Sequence, residues 1–338
     1  MLSVSPGEAV SSFRIVSAEE RSAQQAGMLT NRLRKNRKRL GRWAKARDIS
    51  CYRLYDIDIP EVPLVIDWYE GRLHITEHVT RRRAEGAEGA RWLAAMAEAA
   101  RAALGVAEDD VFVKERRRQR GDQQYERQEA GHRRFVVHEG GLRFMINLSD
   151  YHDTGLFLDH RETRRMVAQE AQGKRVLNLF SYTGSFSVYA AAAGALTTTS
   201  VDLSKTYQAW TAENFVLNTL ELGSKHQLVH ADVLSWLDAP ARRDDWYDLV
   251  VVDPPTWSTS KRMQGTLDIQ RDHGAILRSV LRLVPPGGVV YFSTNRRKFS
   301  LEEGAFAGAS AEEISSKTVP DDFRARRPHR AWRALRLG

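Results

Sequence analysis

The sequence predicts an α/β protein. Its larger part is a Rossmann-like open parallel sheet, and its smaller part is an N-terminal α+β domain. Two patterns carry this expectation. From about residue 150, short apolar runs alternate with longer helical stretches, as in a parallel sheet covered on both faces. Before that point, residues 51–79 alternate apolar and polar in the manner of strands, with turns at Pro60, Pro63 and Gly71. The 338-residue length is enough for two domains with cores of their own.

Each element follows in order. Residues 1–28 are small and polar, and are expected to form a linker or disordered arm. Residues 29–47 predict a basic amphipathic helix, with Leu33, Leu40, Trp43 and Ala44 on one face. Strands over 51–79, an alanine-rich helix over 86–105, and strands and hairpins through "VFVKERRRQR", "RRFVVHEGG" and "LRFMINL" complete a basic α+β unit over 29–148. In 149–338 the predicted strands are "RVLNLF", "TTTSVD", "HQLVHAD", "YDLVVVD" and "GGVVYFSTN". The predicted helices cover 185–195, 204–218, "VLSWLDA" and 266–284.

Composition narrows the class. Hydrophobic residues make up 42% of the chain, ordinary for a globular protein, and the net charge is +8. A basic chain fits a polyanionic partner, or simply a solvated basic surface. The single cysteine, Cys51, excludes a disulfide scaffold and a cysteine-based zinc cluster, and fits a reducing cytoplasm. No apolar run reaches the roughly 18 residues a membrane span needs, and "MLSVSPGEAVSSF" lacks the build of a secretion signal. The expectation is a cytoplasmic protein with no membrane and no metal.

The chemistry sits at strand ends. Open α/β sheets bind ligands beyond the carboxyl ends of their strands. The first such strand leads into "NLFSYTGSFS", where Gly184 at the turn lets a ligand approach the backbone. The turn lacks the G-x-G-x-x-G spacing of a pyrophosphate site. The next three strands end in Asp202, Asp232 and Asp253. Asp202 follows Gly184 by 18 residues, which suits a ribose diol, although an aspartate taken alone is better read as a cap on the helix near Ser204. Three acids crowded on one rim raise one another's energy unless donors or cations offset them. A ligand with a ribose, an exocyclic amine and a positive centre would do so. S-adenosylmethionine is such a ligand, with Asp202 at the ribose, Asp232 at the adenine amine and Asp253 toward the sulfonium and amino-acid end.

Taken in order, "NLFSYTGSFS", "TTTSVDLS", "HADVLSWL" and "DPPTWSTSKR" resemble a class I S-adenosylmethionine-dependent methyltransferase. "NRLRKNRKRLGRWAKARDISCYRLYDIDIPEVPLVIDWYEG", "DYHDTGLFLDHR", "KRMQGTLDIQRDH" and "SSKTVPDDFRARRPHRAW" are similar to the C-terminal half of the K/L-type large-subunit (23S) ribosomal RNA methyltransferases. That half methylates a guanine at N7. The resemblance covers roughly residues 29–332. It implies that the segment before the first strand closes over the cofactor, with Asp159 and Arg161 near it. It implies that Phe180, Tyr182 and Gly184 form the first-turn motif, and that Asp202 and Asp232 hold ribose and adenine. Asp253, Pro254 and Pro255 match the loop that meets the target base. The family's longer members carry a second methyltransferase and an RNA-binding module that this chain lacks, so one activity is expected. The ring at Trp257 is usually phenylalanine in the family.

The residues themselves leave the target atom open. Trp257 can stack on an extruded base or pack in the core, and Pro254-Pro255 stiffens its loop. Guanine N7 needs no proton acceptor, whereas an exocyclic amine (guanine N2 or adenine N6) needs one, and the same loop suits both. Cytosine C5 chemistry needs a cysteine nucleophile. Cys51 lies far off in the N-terminal part, where a small buried residue is expected. His273 can contact base or cofactor, or simply pack. Basic residues cluster at 32–47, with Lys35 and Arg39; at 114–120, with Arg117 beside Tyr125; and at 324–333, with Arg327. They fit phosphate contacts to 23S ribosomal RNA or a large-subunit assembly intermediate. A non-catalytic RNA-binding ribosome-assembly factor is the alternative from another class.

Overall fold

The computed structural model describes residues 17–78, 86–115, 133–151, 153–239, 245–259, 266–323 and 326–338. Helix α1 (Ala18–Ala46) opens the described chain. Its start corrects the expectation for residues 18–28, which are helical and not linker. Ser17 accepts from the Glu20 backbone while the Glu20 carboxylate accepts from the Ser17 N–H, a reciprocal capping box that fixes the first turn. Leu29, Leu33, Leu40 and Ala44 form the buried face.

That face packs on α2 (Ala87–Leu104) and on a sheet of β1 (Cys51–Asp56), β2 (Leu64–Tyr69), β3 (Arg72–Glu77) and β4 (Val111–Glu115), in that order. β1, β2 and β3 are antiparallel neighbours, and α2 is the crossover that makes β4 parallel to β3. The hairpin β5 (Arg134–Glu139) and β6 (Leu142–Asn147), expected within the first unit, packs against both halves. Its Val137, Phe144 and Ile146 share a core with Val188, Tyr189 and Phe215 of the second half, and with Cys51 and Tyr69 of the first.

The second half begins at α3 (Arg161–Ala171) and continues β7 (Arg175–Leu179), α4 (Ser185–Ala192), β8 (Thr197–Asp202), α5 (Lys205–Leu217), β9 (His226–His230), α6 (Val233–Asp238), β10 (Leu249–Val252). A small hairpin, β11 (Trp257–Thr259) and β12 (Thr266–Asp268), precedes α7 (Ile269–Arg282) and β13 (Val289–Thr294). Then come β14 (Ala309–Glu313), α8 (Ser315–Thr318) and β15 (Arg330–Arg336). The sheet order is β14-β15-β13-β10-β7-β8-β9. The five strands from β13 to β9 are parallel, and β15 runs antiparallel to both β13 and β14. All four residues of β10, Leu249 to Val252, are buried, because helices cover both faces. Val250 and Val252 face Ile276, Leu277 and Trp236. Val251 faces Val167 and Phe186.

The chain passes β7, β8 and β9 in one direction, then returns to place β10 on the other side of β7. The gap between β7 and β10 is therefore the topological switch point, where such sheets hold ligands. Val252 pairs with Leu179 and with Phe292, and Leu179 pairs with Val201. Asp253, Phe180, Ser293 and Asp202 therefore lie at one level. Among the described residues no helix is long and apolar enough to cross a membrane.

Candidate active site

The turn after β7 is tightly constrained. Phe180, Tyr182 and Gly184 have φ of 57°, 51° and 72°, a left-handed conformation that side chains other than glycine rarely adopt. The turn is pinned where it bends. The Ser181 N–H donates to Val201 O, the Gly184 N–H to Ser181 O, and the Tyr182 N–H to Asp202 Oδ2 at 2.9 Å. Gly184 has a reason other than ligand approach. A Cβ there would meet Thr211 Cγ2 of α5 at 2.2 Å, so glycine serves the close packing of α4 on α5.

Asp202 answers both sequence readings. Oδ1 accepts from the Ser204 N–H at 2.8 Å, so it braces the start of α5, whose own cap is Ser204. Burial nevertheless pushes its carboxyl up to about 6, against the pull of the Ser204 and Tyr182 N–H groups. The two backbone donors leave this carboxylate short of partners, and a vicinal diol supplies two more. Asp232 caps α6, with Oδ2 accepting from Ser235 N at 3.2 Å and Oγ at 2.8 Å. Asp253 Oδ1 accepts from Ser293 Oγ at 2.6 Å, and Oδ2 lies 3.5 Å from His160 Nε2.

The segment before α3 lies over this rim. Its Gly155 N–H donates to the Tyr182 hydroxyl at 2.8 Å, its Gly155 carbonyl accepts from Thr183 Oγ1 at 2.6 Å, and Phe157 packs on Tyr182 at 5.0 Å between ring centroids. Asp159 accepts from His329 Nδ1 at 3.3 Å. Burial alone would raise this acid, but the imidazoles of His160 and His329 hold it well below the usual carboxylate range. Arg161 has protein partners of its own. Its guanidinium turns away from the rim, to Asp322 at 3.1 Å, the Cys51 carbonyl at 2.7 Å and Glu139 at 3.6 Å. Buried between two acids and a backbone carbonyl from three elements, it ties the two halves together, while its Nε is buried without a hydrogen-bond partner among the described residues.

Pro254 is buried and Pro255 half-buried, and they carry the chain out to Trp257, which is 52% exposed at the edge of the β11–β12 hairpin. The indole is thus presented to solvent and is not part of the core. His273 is buried, its Nδ1 against Ile269 O and its Nε2 accepting from the Glu302 N–H, which makes it a packing residue. Cys51 is buried and its thiol is pushed far up by desolvation, so it offers no nucleophile.

Lys35 and Arg39 are exposed on α1 and make no hydrogen bond or ion pair among the described residues. Arg327 is exposed near the carboxyl end, while its neighbours Arg330 and Arg333 are already paired with Glu313 and Glu170. Arg117 and Tyr125 lie outside the described residues. Sequence reasoning missed His160, His329 and Ser293. His160 and His329 stack at 4.3 Å with 12° between their planes. Only strand order brings residues 160, 253, 293 and 329 together.

The comparisons with known proteins agree with this geometry. Residues 42–337 match the family model described as S-adenosylmethionine-dependent methyltransferase. The chain is 46% identical over 318 residues to a "Ribosomal RNA large subunit methyltransferase K/L" of Methylococcus capsulatus, covering 93% of this chain and 43% of that protein. It is 48% identical over 315 residues to the protein of the same name from Pseudomonas putida, at 93% and 42% coverage. The chain thus spans less than half the length of these relatives. A methyltransferase crystallised in complex with SAH superposes with a TM-score of 0.72 at 24% identity, over 92% of this chain and 81% of that one, a likeness of fold. The chain belongs to the S-adenosylmethionine-dependent methyltransferase family. Within it, the chain is similar in sequence to the K/L-type enzymes.

The cofactor of that family is S-adenosylmethionine, and the residues at the switch point fit it. Asp202 is an acceptor in want of donors. Asp232 keeps Oδ1 without a hydrogen-bond partner among the described residues. Asp253 adds a carboxylate at the same level of the sheet, and Phe157 and Tyr182 form an aromatic pair beside the turn. When bound, the cofactor supplies a methyl group on a sulfonium, open to in-line displacement.

Proposed function

We propose that this chain methylates N7 of a guanine in 23S ribosomal RNA, using Asp202 and Asp232 for the nucleoside end of the cofactor and Asp253-Pro254-Pro255 for the reacting end. The observation that carries the reading is the exposed Trp257, held four residues beyond a carboxylate that sits level with the switch point. A base in folded RNA must be swung out of its stack to be methylated, and an exposed indole beside the acid is a platform for it. Guanine N7 offers a lone pair and no proton, so no residue here has to accept one. The purine gains positive charge, which the Asp253 carboxylate would offset. Holding the base in line with the methyl group can contribute up to about 7–11 kcal/mol through orientation. The names of the relatives support ribosomal RNA as substrate, and the exposed Lys35, Arg39 and Arg327 support phosphate contacts.

Mass spectrometry of 23S fragments from cells with and without the protein tests this directly. A guanine that loses a methyl group at N7 in the deletion strain bears the proposal out, and one that loses it at N2, or an adenine at N6, replaces it with the exocyclic-amine reading. Intact RNA binding with no affinity for S-adenosylmethionine by calorimetry would point to the assembly-factor alternative.

Trp257→Ala is expected to raise KM for RNA by about tenfold, the order of one lost base stack, and to leave cofactor affinity unchanged. Steady-state kinetics with varied RNA check it; an unchanged KM removes the platform role. RNA affinity is expected to fall by at least about tenfold between 50 and 200 mM salt, because several released counterions accompany binding. Lys35→Ala with Arg39→Ala should flatten that slope by about one to two ions in a filter-binding titration.

A further inference from the structure

We propose that His160 is a positioning residue that, with Ser293, fixes the plane of the Asp253 carboxylate. This rests on reading Asp253 as the acid at the reaction centre.

The geometry is a chain of contacts leading back from the site. Ser293 Oγ donates to Asp253 Oδ1 at 2.6 Å, and His160 Nε2 stands 3.5 Å from Oδ2, so each carboxylate oxygen faces a polar side-chain atom. The His160 ring cannot swing. It lies flat on His329 at 4.3 Å and meets the ring of Phe186 edge-on at 5.8 Å. His329 is fixed in turn by Asp159 at Nδ1 and Thr318 Oγ1, 3.1 Å from Nε2. Both histidines are buried.

His160 Nδ1 is buried and has no hydrogen-bond partner among the described residues. A neutral imidazole carries one proton, and it belongs on the nitrogen that faces an acceptor. The ring is therefore the Nε2–H tautomer, donating toward Asp253. Burial favours the neutral ring more than the Asp253 charge opposes it, so the pair is a neutral donor on a carboxylate. Asp159, His160 and His329 also bring ligand-type atoms within 4.8 Å of one another. Two nearly parallel stacked rings direct their in-plane lone pairs side by side and not to one point, which is poor geometry for a shared ion.

The test uses the full chain. Nitrogen-15 spectra of the histidine rings should show His160 as the Nε2–H tautomer at neutral pH, with its signal displaced in Asp253→Asn. A His160→Phe variant keeps the ring stack and removes the donor. It is expected to lower kcat about 10- to 100-fold while KM for RNA and the cofactor dissociation constant stay within about twofold. His160→Gln, whose amide reaches the same oxygen, should recover turnover to within a few-fold of wild type. An Nδ1–H tautomer, wild-type turnover in His160→Phe, or equal loss of cofactor binding and thermal stability in both variants would overturn the assignment. An enzyme that methylates no ribosomal RNA, yet shows the Nε2–H signal responding to Asp253→Asn, supports the pairing and counts against the RNA reading instead.

Discussion

Asp202→Ala is expected to raise the dissociation constant for S-adenosylmethionine by about 30- to 100-fold. A hydrogen bond to a charged group contributes about 1.5–3 kcal/mol, and the expected loss is that of about one such bond. The pH dependence makes the test specific. The Asp202 carboxyl is pushed up to about 6 by burial, and only the ionised form accepts from both hydroxyls. Affinity should therefore be full above pH 6 and weaken as pH falls through that value. Binding favours the charged form, so the bound state pulls the group back toward lower pKa. Asp202→Asn has no charge to lose, and its affinity should vary little over the same range. Calorimetry from pH 5 to 8 on the three proteins decides the matter, with RNA binding as the control for folding. Alanine also removes the acceptor for the Tyr182 and Ser204 N–H groups, so some loss of thermal stability accompanies it. A wild-type constant in the alanine variant would mean that the ribose lies elsewhere.

The acids at the strand ends were legible because a buried apolar run that stops at aspartate is unusual, and the run repeats. The resemblance made the family legible as well. What pattern could not give was direction. Asp159, His160 and Arg161 are consecutive, at the end of a short 3-10 turn, where successive side chains point about 120° apart. One faces His329, the next Asp253, the third Asp322. A motif read as one ligand-facing unit therefore divides into three roles. Gly184 shows the same limit, since its neighbour Thr211 is 27 residues away and known only from packing. β15, "RAWRALR", lacks a clean alternation: Arg330 and Arg333 pair with Glu313 and Glu170 of neighbouring elements, and Arg336 donates to the Gly308 carbonyl. The start of α1 was readable in principle from Ser17 and Glu20, a cap signature hidden in a stretch of small polar residues.

Arg164→Ala is expected to destabilise the fold by about 3–5 kcal/mol, the range for breaking one partner out of a buried ion pair. Arg164 is 1% exposed and meets Glu139 with two bonds, Nε to Oε1 at 2.8 Å and Nη2 to Oε2 at 3.0 Å. Glu139 also accepts from the Tyr189 hydroxyl at 3.0 Å and faces Arg161. Removing Arg164 leaves the acid with one guanidinium at 3.6 Å where it had two. Changing both partners to apolar residues, as Glu139→Leu with Arg164→Met, removes the orphaned charge, so the pair should cost less than the sum of its parts. Urea denaturation of the two single variants and the double variant measures this coupling. The cluster also reaches the cofactor rim. Arg164 Nη2 donates to Phe157 O at 2.8 Å, and Phe157 is the ring packed on Tyr182. Cofactor affinity should therefore fall in Arg164→Ala under conditions where the protein is still folded. A single variant within about 1 kcal/mol of wild type, binding the cofactor normally, would show that this buried network neither holds the fold together nor sets the segment over the rim.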